Sequence, residues 1–489
     1  MDITKMTALE IGKAIKSKAF TSVEAVTAFL DKIRETDREL NAYITVCAQE
    51  AIQRAKSVQE KINKGETTSP LAGVPVSIKD NICTNAVKTS CASKILGDFT
   101  PVYNATVMDK AEEAGLIMLG KLNMDEFAMG STTETSFYGP VKNPWDISCS
   151  PGGSSGGAAA AVAAGEAAIA LGSDSDGGIR QPAAHCSVTG FKPTYGAVSR
   201  NGLSAYASSF DQIGPIAKDV ADCAAMTDII CGKDPLDGTS LDIKHPGYLN
   251  SLTDDVRGMR IGFYNECLED GAGTDVARLI GDASKIFEEM GSTVEEIGLP
   301  FLNYVVPVNY IIACAQASSN LSRFDGIKYG FRSKEYNGVN DLYSATRGEG
   351  FGDEVKKRII FGTFVLSSGY YDAFYNKALR VRALIKEQLD EIFSKYDLII
   401  CPVTEKSASK LGESLRANSK MYKEDIFTAA ANIGGLPALS VPCGLDKRNM
   451  PVGMQLIGQR LDDVTVLSAG YAFQQRTVFH KLTAGGDSR

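Results

Sequence analysis

Residues 150–180 read SPGGSSGGAAAAVAAGEAAIALGSDSDGGIR. Pro151 to Gly157 sets four glycines around Ser154 and Ser155, directly before a run of alanines. Glycine permits positive φ and close backbone approach. Gly157 to Ala164 reads as a helix, and the free N–H groups at a helix start form a natural anion site. The loop therefore reads as an anion cradle or as a catalytic loop; it lacks the Gly-Lys-Ser/Thr ending of a P-loop. Ala167 to Leu171 is an apolar run of strand length, and a second loop, Gly172 to Arg180, follows it. A functional loop after a strand is the usual arrangement in an α/β sheet. Ser175, Asp176, Gly177 and Gly178 could present consecutive amides to one oxygen, as an oxyanion hole does.

Outward from this segment, short apolar runs at Val74–Ile78 and Ile117–Leu119 read as further buried strands, with a helix over Thr106–Ala114 between them. Strand–helix alternation predicts an α/β fold with a large mixed sheet covered by helices on both faces. Residues 7–65 read as helices throughout: Thr21 and Glu24 stand in capping-box spacing, and Val23, Val26, Phe29, Leu30 and Ile33 keep helical periodicity. Another strand–helix unit is predicted at Arg260–Tyr264 and Asp275–Met290, helices between Val305 and Phe393, strands at 398–400, 438–441 and 453–457, and a helix over Asp463–Gln475. No stretch resembles an interdomain linker. The expectation is one domain over 1–489: a helical cover at 1–65, a core at 70–215 and the remainder of the α/β domain at 216–489.

Composition limits the function classes. The net charge of −8 makes the chain a poor candidate for gripping nucleic acid through its own surface. Eleven cysteines are scattered, and none forms a Cys-x-x-Cys pair. Free thiols in a reducing cytoplasm are expected, with no metal site. The N-terminus lacks a signal-peptide pattern, and the best apolar run is interrupted by Gly165 and Glu166, so no membrane span is expected.

Four elements stand in a fixed order: Gly73-Val-Pro-Val-Ser-Ile-Lys-Asp-Asn81, Pro151-Gly-Gly-Ser-Ser-Gly-Gly157, Gly172-Ser-Asp-Ser-Asp-Gly-Gly-Ile-Arg-Gln-Pro-Ala183 and Gly190-Phe-Lys-Pro-Thr-Tyr-Gly196. The set resembles the amidase signature family. Residues 208–215, 349–358, 366–372, 435–438 and 453–458 are similar to a branch of that family, the A subunits of bacterial tRNA-dependent amidotransferases, so the likeness covers nearly the whole chain.

The resemblance implies a glutamine-hydrolysing subunit. It sends ammonia to a B subunit that uses ATP and Mg to amidate Glu-tRNA(Gln), or Asp-tRNA(Asn), with a small C subunit bridging the two. It implies no cofactor in this chain, tRNA contact mainly through the B subunit, and a cytoplasmic location. Carried over by position, the base is Lys79, and the bridging serine, held on a cis peptide, is Ser154. Arg358 and Asp425 fall where the family holds the α-carboxylate and α-amino group of glutamine, and Tyr310 and Gly130 among its substrate-binding positions. A buried lysine beside hydroxyls can shed its charge and act as a base, which is how the family works without histidine.

The chain departs from the pattern at the chemistry itself. Gly178 stands where the family has its nucleophilic serine, and Asp176 where the oxyanion loop has a glycine. His185, Ser187 and Asn309 also depart. Losing the serine of a comparable hydrolase costs on the order of 10⁶ in rate, about 8 kcal/mol of barrier. A carboxylate ~4 Å from a developing oxyanion would repel it by about 4 kcal/mol at moderate dielectric. Ser175 is a weak substitute nucleophile: three residues upstream, its oxygen could lie as far as ~10 Å away, whereas catalytic placement tolerates about 0.5 Å. His185, next to a core strand, reads as a packed histidine. Three readings follow: an amidotransferase A subunit with impaired glutamine hydrolysis, a stand-alone amidase with relocated catalysis, or a catalytically silent scaffold or binding paralogue.

Overall fold

A computed structural model describes residues 2–264, 273–416 and 425–484. Eleven strands form one sheet in the order β1-β3-β2-β4-β6-β5-β10-β11-β9-β7-β8. They are β1 (Tyr43–Val46), β2 (Pro75–Lys79), β3 (Ile117–Leu122), β4 (Ile169–Asp174), β5 (Thr189–Lys192), β6 (Gln212–Ala217), β7 (Arg260–Tyr264), β8 (Thr293–Ile297), β9 (Leu398–Pro402), β10 (Ala438–Leu445) and β11 (Pro451–Gly458). The sheet is mixed, as expected. β2 runs parallel to both β3 and β4, and β7 parallel to β8 and β9. The six strand pairs outside these two groups are antiparallel.

The period-2 alternation of the strands separates two apolar cores. Leu398, Ile400, Leu439, Val441, Met454 and Leu456 enter one core, which also holds the N-terminal helices and the helix Gly156–Ala163. Ile399, Cys401, Ala438 and Ile457 enter the other, with residues of the helices Leu302–Asn320, Asp353–Leu366 and Lys377–Phe393. Helices thus cover both faces.

The N-terminal 65 residues are not wholly helical. Helices run over Ala8–Lys16, Ser22–Leu40 and Ala48–Asn63, the second opening with the predicted Thr21–Glu24 capping box. Between the last two lies β1, which adds an edge strand against β3 (Tyr43↔Leu122). Tyr43 anchors it: its hydroxyl stands 2.7 Å from Ser77 Oγ and donates to the Glu166 carbonyl at 3.0 Å. No helix among the described residues is long and apolar enough to cross a membrane. The ten described cysteines are buried free thiols, and Cys267 lies outside the described residues.

The topology fixes the site. Parallel neighbours β2 and β4, paired at Ile78↔Leu171, finish side by side. Lys79 ends β2, Asp174 ends β4, and the helix Gly156–Ala163 starts from the loop holding Ser154. Three chemistry-bearing segments therefore converge at one end of the sheet, where such sheets place their ligands.

Candidate active site

Lys79 is wholly buried, and its Nζ donates to Ser154 Oγ at 2.7 Å, Ser155 Oγ at 2.8 Å and the Ser173 carbonyl at 3.3 Å. Burial pushes its ammonium down to about 7, against the pull of Asp125, Asp174, Asp176 and Asp211. At neutral pH a large share of Lys79 is therefore an uncharged amine that can take a proton. The Gly153–Ser154 peptide is cis.

The two hydroxyls on Lys79 differ. Ser155 Oγ also donates to the Ser173 carbonyl (3.2 Å), accepts from the Ser173 amide (3.3 Å) and has no exposure. Among the described residues Ser154 Oγ bonds to Lys79 alone, and its residue keeps 4% exposure. Ser155 carries no separate signal in the sequence, although it lies in the same glycine-rich stretch.

The loop after β4 is shaped by a buried carboxylate. Asp174 accepts from the amides of Gly177 (2.9 Å) and Ile179 (3.1 Å) and from Arg180 Nε and Nη2 (3.0 and 2.9 Å). Burial opposes its charge, but the Arg180 guanidinium more than offsets this and holds its carboxyl well below the usual range. With those amides turned to Asp174, the N–H groups of Asp176 and Gly178 have no acceptor among the described residues. They remain available to a ligand oxygen. The Gly178 carbonyl accepts from the Ser155 amide at 3.0 Å, which ties the two loops together. A Cβ at Gly178 would stand 2.8 Å from Ser154 Oγ and 2.7 Å from the Ser173 carbonyl oxygen. Position 178 thus faces the Lys79–Ser154 pair.

Ser175 faces elsewhere: its hydroxyl donates to Asp211 at 2.7 Å. As a stand-in nucleophile it would need Lys79 or Ser154 beside it, and the structure gives it neither as partner. Asp211 is also held by the amides of Tyr206 and Ala207. The Tyr206 hydroxyl accepts from Arg358 Nη1, so a chain of contacts runs from Ser175 through Asp211 and Tyr206 to Arg358.

Arg358 is buried, with its guanidinium between the rings of Tyr206 and Tyr310 (5.4 and 5.5 Å to the centroids) and its Nε on Glu354 at 2.8 Å. Asp176 lies close enough to feel it: burial raises the Asp176 carboxyl to about 6, while Arg358 pulls the other way. Asn309 Nδ2 donates to the Ser175 carbonyl at 3.4 Å. Asp425 accepts from Ser131 Oγ at 3.1 Å. Gly130 packs on Asp125: a Cβ there would come 2.5 Å from Oδ1, so only glycine allows the approach.

Asp125 is a site residue that sequence reasoning does not pick out. It is wholly buried, accepts from Thr133 N (2.9 Å) and Thr135 Oγ1 (2.8 Å), and its amide donates to the Ser154 carbonyl (3.2 Å). Its sequence setting, Asn123-Met124-Asp125-Glu126-Phe127, is polar enough that nothing in it sets this aspartate apart. His185 is buried, with Nε2 3.3 Å from Thr404 Oγ1, and burial lowers its pKa to about 4. No group of three or more His, Cys, Asp or Glu among the described residues could hold a metal ion.

A buried lysine on two serines, at the mouth of parallel strands and beside a glycine loop with free amides, defines a scaffold for acyl chemistry built without a histidine base. The profile of the Amidase family matches residues 24–467; the chain belongs to that family. It is 52% identical to the A subunit of the glutamyl-tRNA(Gln) amidotransferase of Lachnoclostridium phytofermentans, over 98% of this chain and 99% of that protein. It is also 52% identical to the corresponding A subunit of Lachnospira eligens, over 97% and 99%. The crystal structure of the glutamyl-tRNA(Gln) amidotransferase A subunit from Thermotoga maritima superposes with a TM-score of 0.82 at 39% identity, covering 99% of this chain and 97% of that one.

Proposed function

We propose that this chain is the A subunit of a cytoplasmic tRNA-dependent amidotransferase that converts Glu-tRNA(Gln) to Gln-tRNA(Gln), and that its glutamine-hydrolysing step is impaired. Half-identity over nearly the whole length to such A subunits supports the first part. The observation that carries the second is position 178: the Lys79–Ser154 pair is assembled, and the residue facing it has no side chain. Asp176 adds a carboxylate to the loop whose amides would receive the oxyanion. Arg358 and Asp425 are the groups for the α-carboxylate and α-ammonium of glutamine, with Tyr310 and Gly130 beside them; a fork-shaped guanidinium suits a carboxylate. The B and C subunits complete the complex. ATP, Mg and the tRNA are handled mainly by the B subunit, which amidates its substrate with ammonia taken directly from solution.

The test assembles the chain with its B and C partners and compares nitrogen donors. Ammonium is expected to support Gln-tRNA formation, and glutamine to support it on the order of 10⁶-fold less well than in a serine-bearing complex. Gly178→Ser with Asp176→Gly is expected to restore glutamine use. Robust glutamine-dependent amidation by the unmodified chain, or no product with either donor, would overturn the reading.

A further inference from the structure

We propose that Ser154, paired with Lys79, is itself an acyl-accepting nucleophile for small unhindered acyl donors, forming a serine–lysine dyad beside residue 178. This goes beyond the amidotransferase assignment and does not require it. Three observations carry it. Ser154 Oγ lies 2.7 Å from Lys79 Nζ, its single hydrogen-bond partner among the described residues, whereas Ser155 on the same amine is closed in by the Ser173 backbone. The first side-chain atom of residue 178 would stand 2.8 Å from Ser154 Oγ, so glycine there leaves no side chain pressed against this hydroxyl. The amides of Asp176 and Gly178 are unclaimed among the described residues and can receive a carbonyl oxygen. Lys79 is driven toward its neutral form by burial, as a general base must be.

In the step, the Ser154 hydroxyl proton passes to the neutral Lys79 amine while Oγ bonds to the acyl carbon. The bond from that carbon to the leaving oxygen or nitrogen then breaks, and the Lys79 ammonium returns the proton to the leaving group. Water, deprotonated by Lys79, cleaves the ester to release the acid and regenerate Ser154. A small acyl group is required because Ser154 is only 4% exposed.

The full-length chain is treated with p-nitrophenyl acetate over a pH range of about 5.5–9.5, and acetylation is mapped by peptide mass spectrometry. The expected result is an acetyl group on Ser154, with a labelling rate that rises through a midpoint near pH 7. Lys79→Met is expected to slow labelling of Ser154 at least about 100-fold, the usual worth of a general base. Mapping on the unmodified chain keeps the test decisive if that variant folds poorly. Acetylation confined to surface lysines, to Ser155 or to Ser175, or a Ser154 rate with no inflection below about pH 9, would overturn the proposal. The ammonium-versus-glutamine comparison is read in a different assembly with a different donor, so either reading can fail alone.

Discussion

Lys79 is a cation from which folding removes water. In the unfolded chain its pKa is the ordinary 10.5, and in the fold burial brings it to about 7. Between these values the unfolded state binds the extra proton, so this group's contribution to stability rises with pH across that window and is flat below it. Lys79→Met removes the effect. The denaturation midpoints of parent and variant should diverge in the parent's favour from about pH 7 to 9.5, by at most about 1.4 kcal/mol per pH unit; a constant gap would contradict the assignment. Gly178→Ser alone meets a second constraint. Its Cβ would press on the Ser173 carbonyl at 2.7 Å, an immobile backbone oxygen. A loss of about 1–3 kcal/mol in chemical denaturation is expected from overpacking, and a neutral or stabilising change would show that the loop opens freely. Lys79, Ser154 and position 178 are legible in the sequence because each sits in a short contiguous motif. Tyr206 on Arg358 and Ser131 on Asp425 are not: these pairs are 152 and 294 residues apart, and only the tertiary fold brings them together.

At the level of elements, the helix Asp353–Leu366 delivers Arg358, and its start is fixed by a distant carboxylate. Glu126 Oε2 accepts from the Gly352 amide at 2.8 Å, and Ser93 Oγ donates to Oε1. An acceptor at a helix N-terminus satisfies an otherwise orphaned donor. Burial raises the Glu126 carboxyl to about 7, with Ser93 and Gly352 opposing. Here the folded state holds the extra proton between the ordinary 4.5 and about 7, so the contribution of Glu126 falls as pH rises through that range. Glu126→Gln keeps an acceptor for Gly352 without the charge. The variant should gain on the parent steadily across the same range in thermal or urea denaturation and hold its lead above; parallel profiles would refute this. The elements themselves are readable where periodicity runs long enough. β1 is not, because four residues between two helices give alternation no room to declare itself. β4 is expected at 167–171 and runs instead to Asp174. Its last three residues, Gly-Ser-Asp, have poor strand propensity, but pairing with β6 at Gly172↔Gly214 and Asp174↔Gln212 holds them extended.

At the level of the molecule, one side chain connects widely separated parts of the sequence. Arg180 is wholly buried and donates to Asp174, the Thr428 carbonyl (2.8 Å), Gln455 Oε1 and Asn432 Oδ1 (both 2.5 Å). It thereby joins β4, the segment before the helix Ala429–Gly434, and β11. Arg180→Met should cost about 3–5 kcal/mol, because the Asp174 charge and two amide oxygens lose their partner in a dry interior; a stability within about 1 kcal/mol of the parent would show that water or repacking compensates. This network also bears on how such a protein can change over time. The loop after β4 takes its shape from a carboxylate that gathers two main-chain amides and a guanidinium, and residue 178 supplies none of these bonds. Inheritance can therefore exchange the residue at position 178 in one codon and keep the bonds that hold the surrounding architecture.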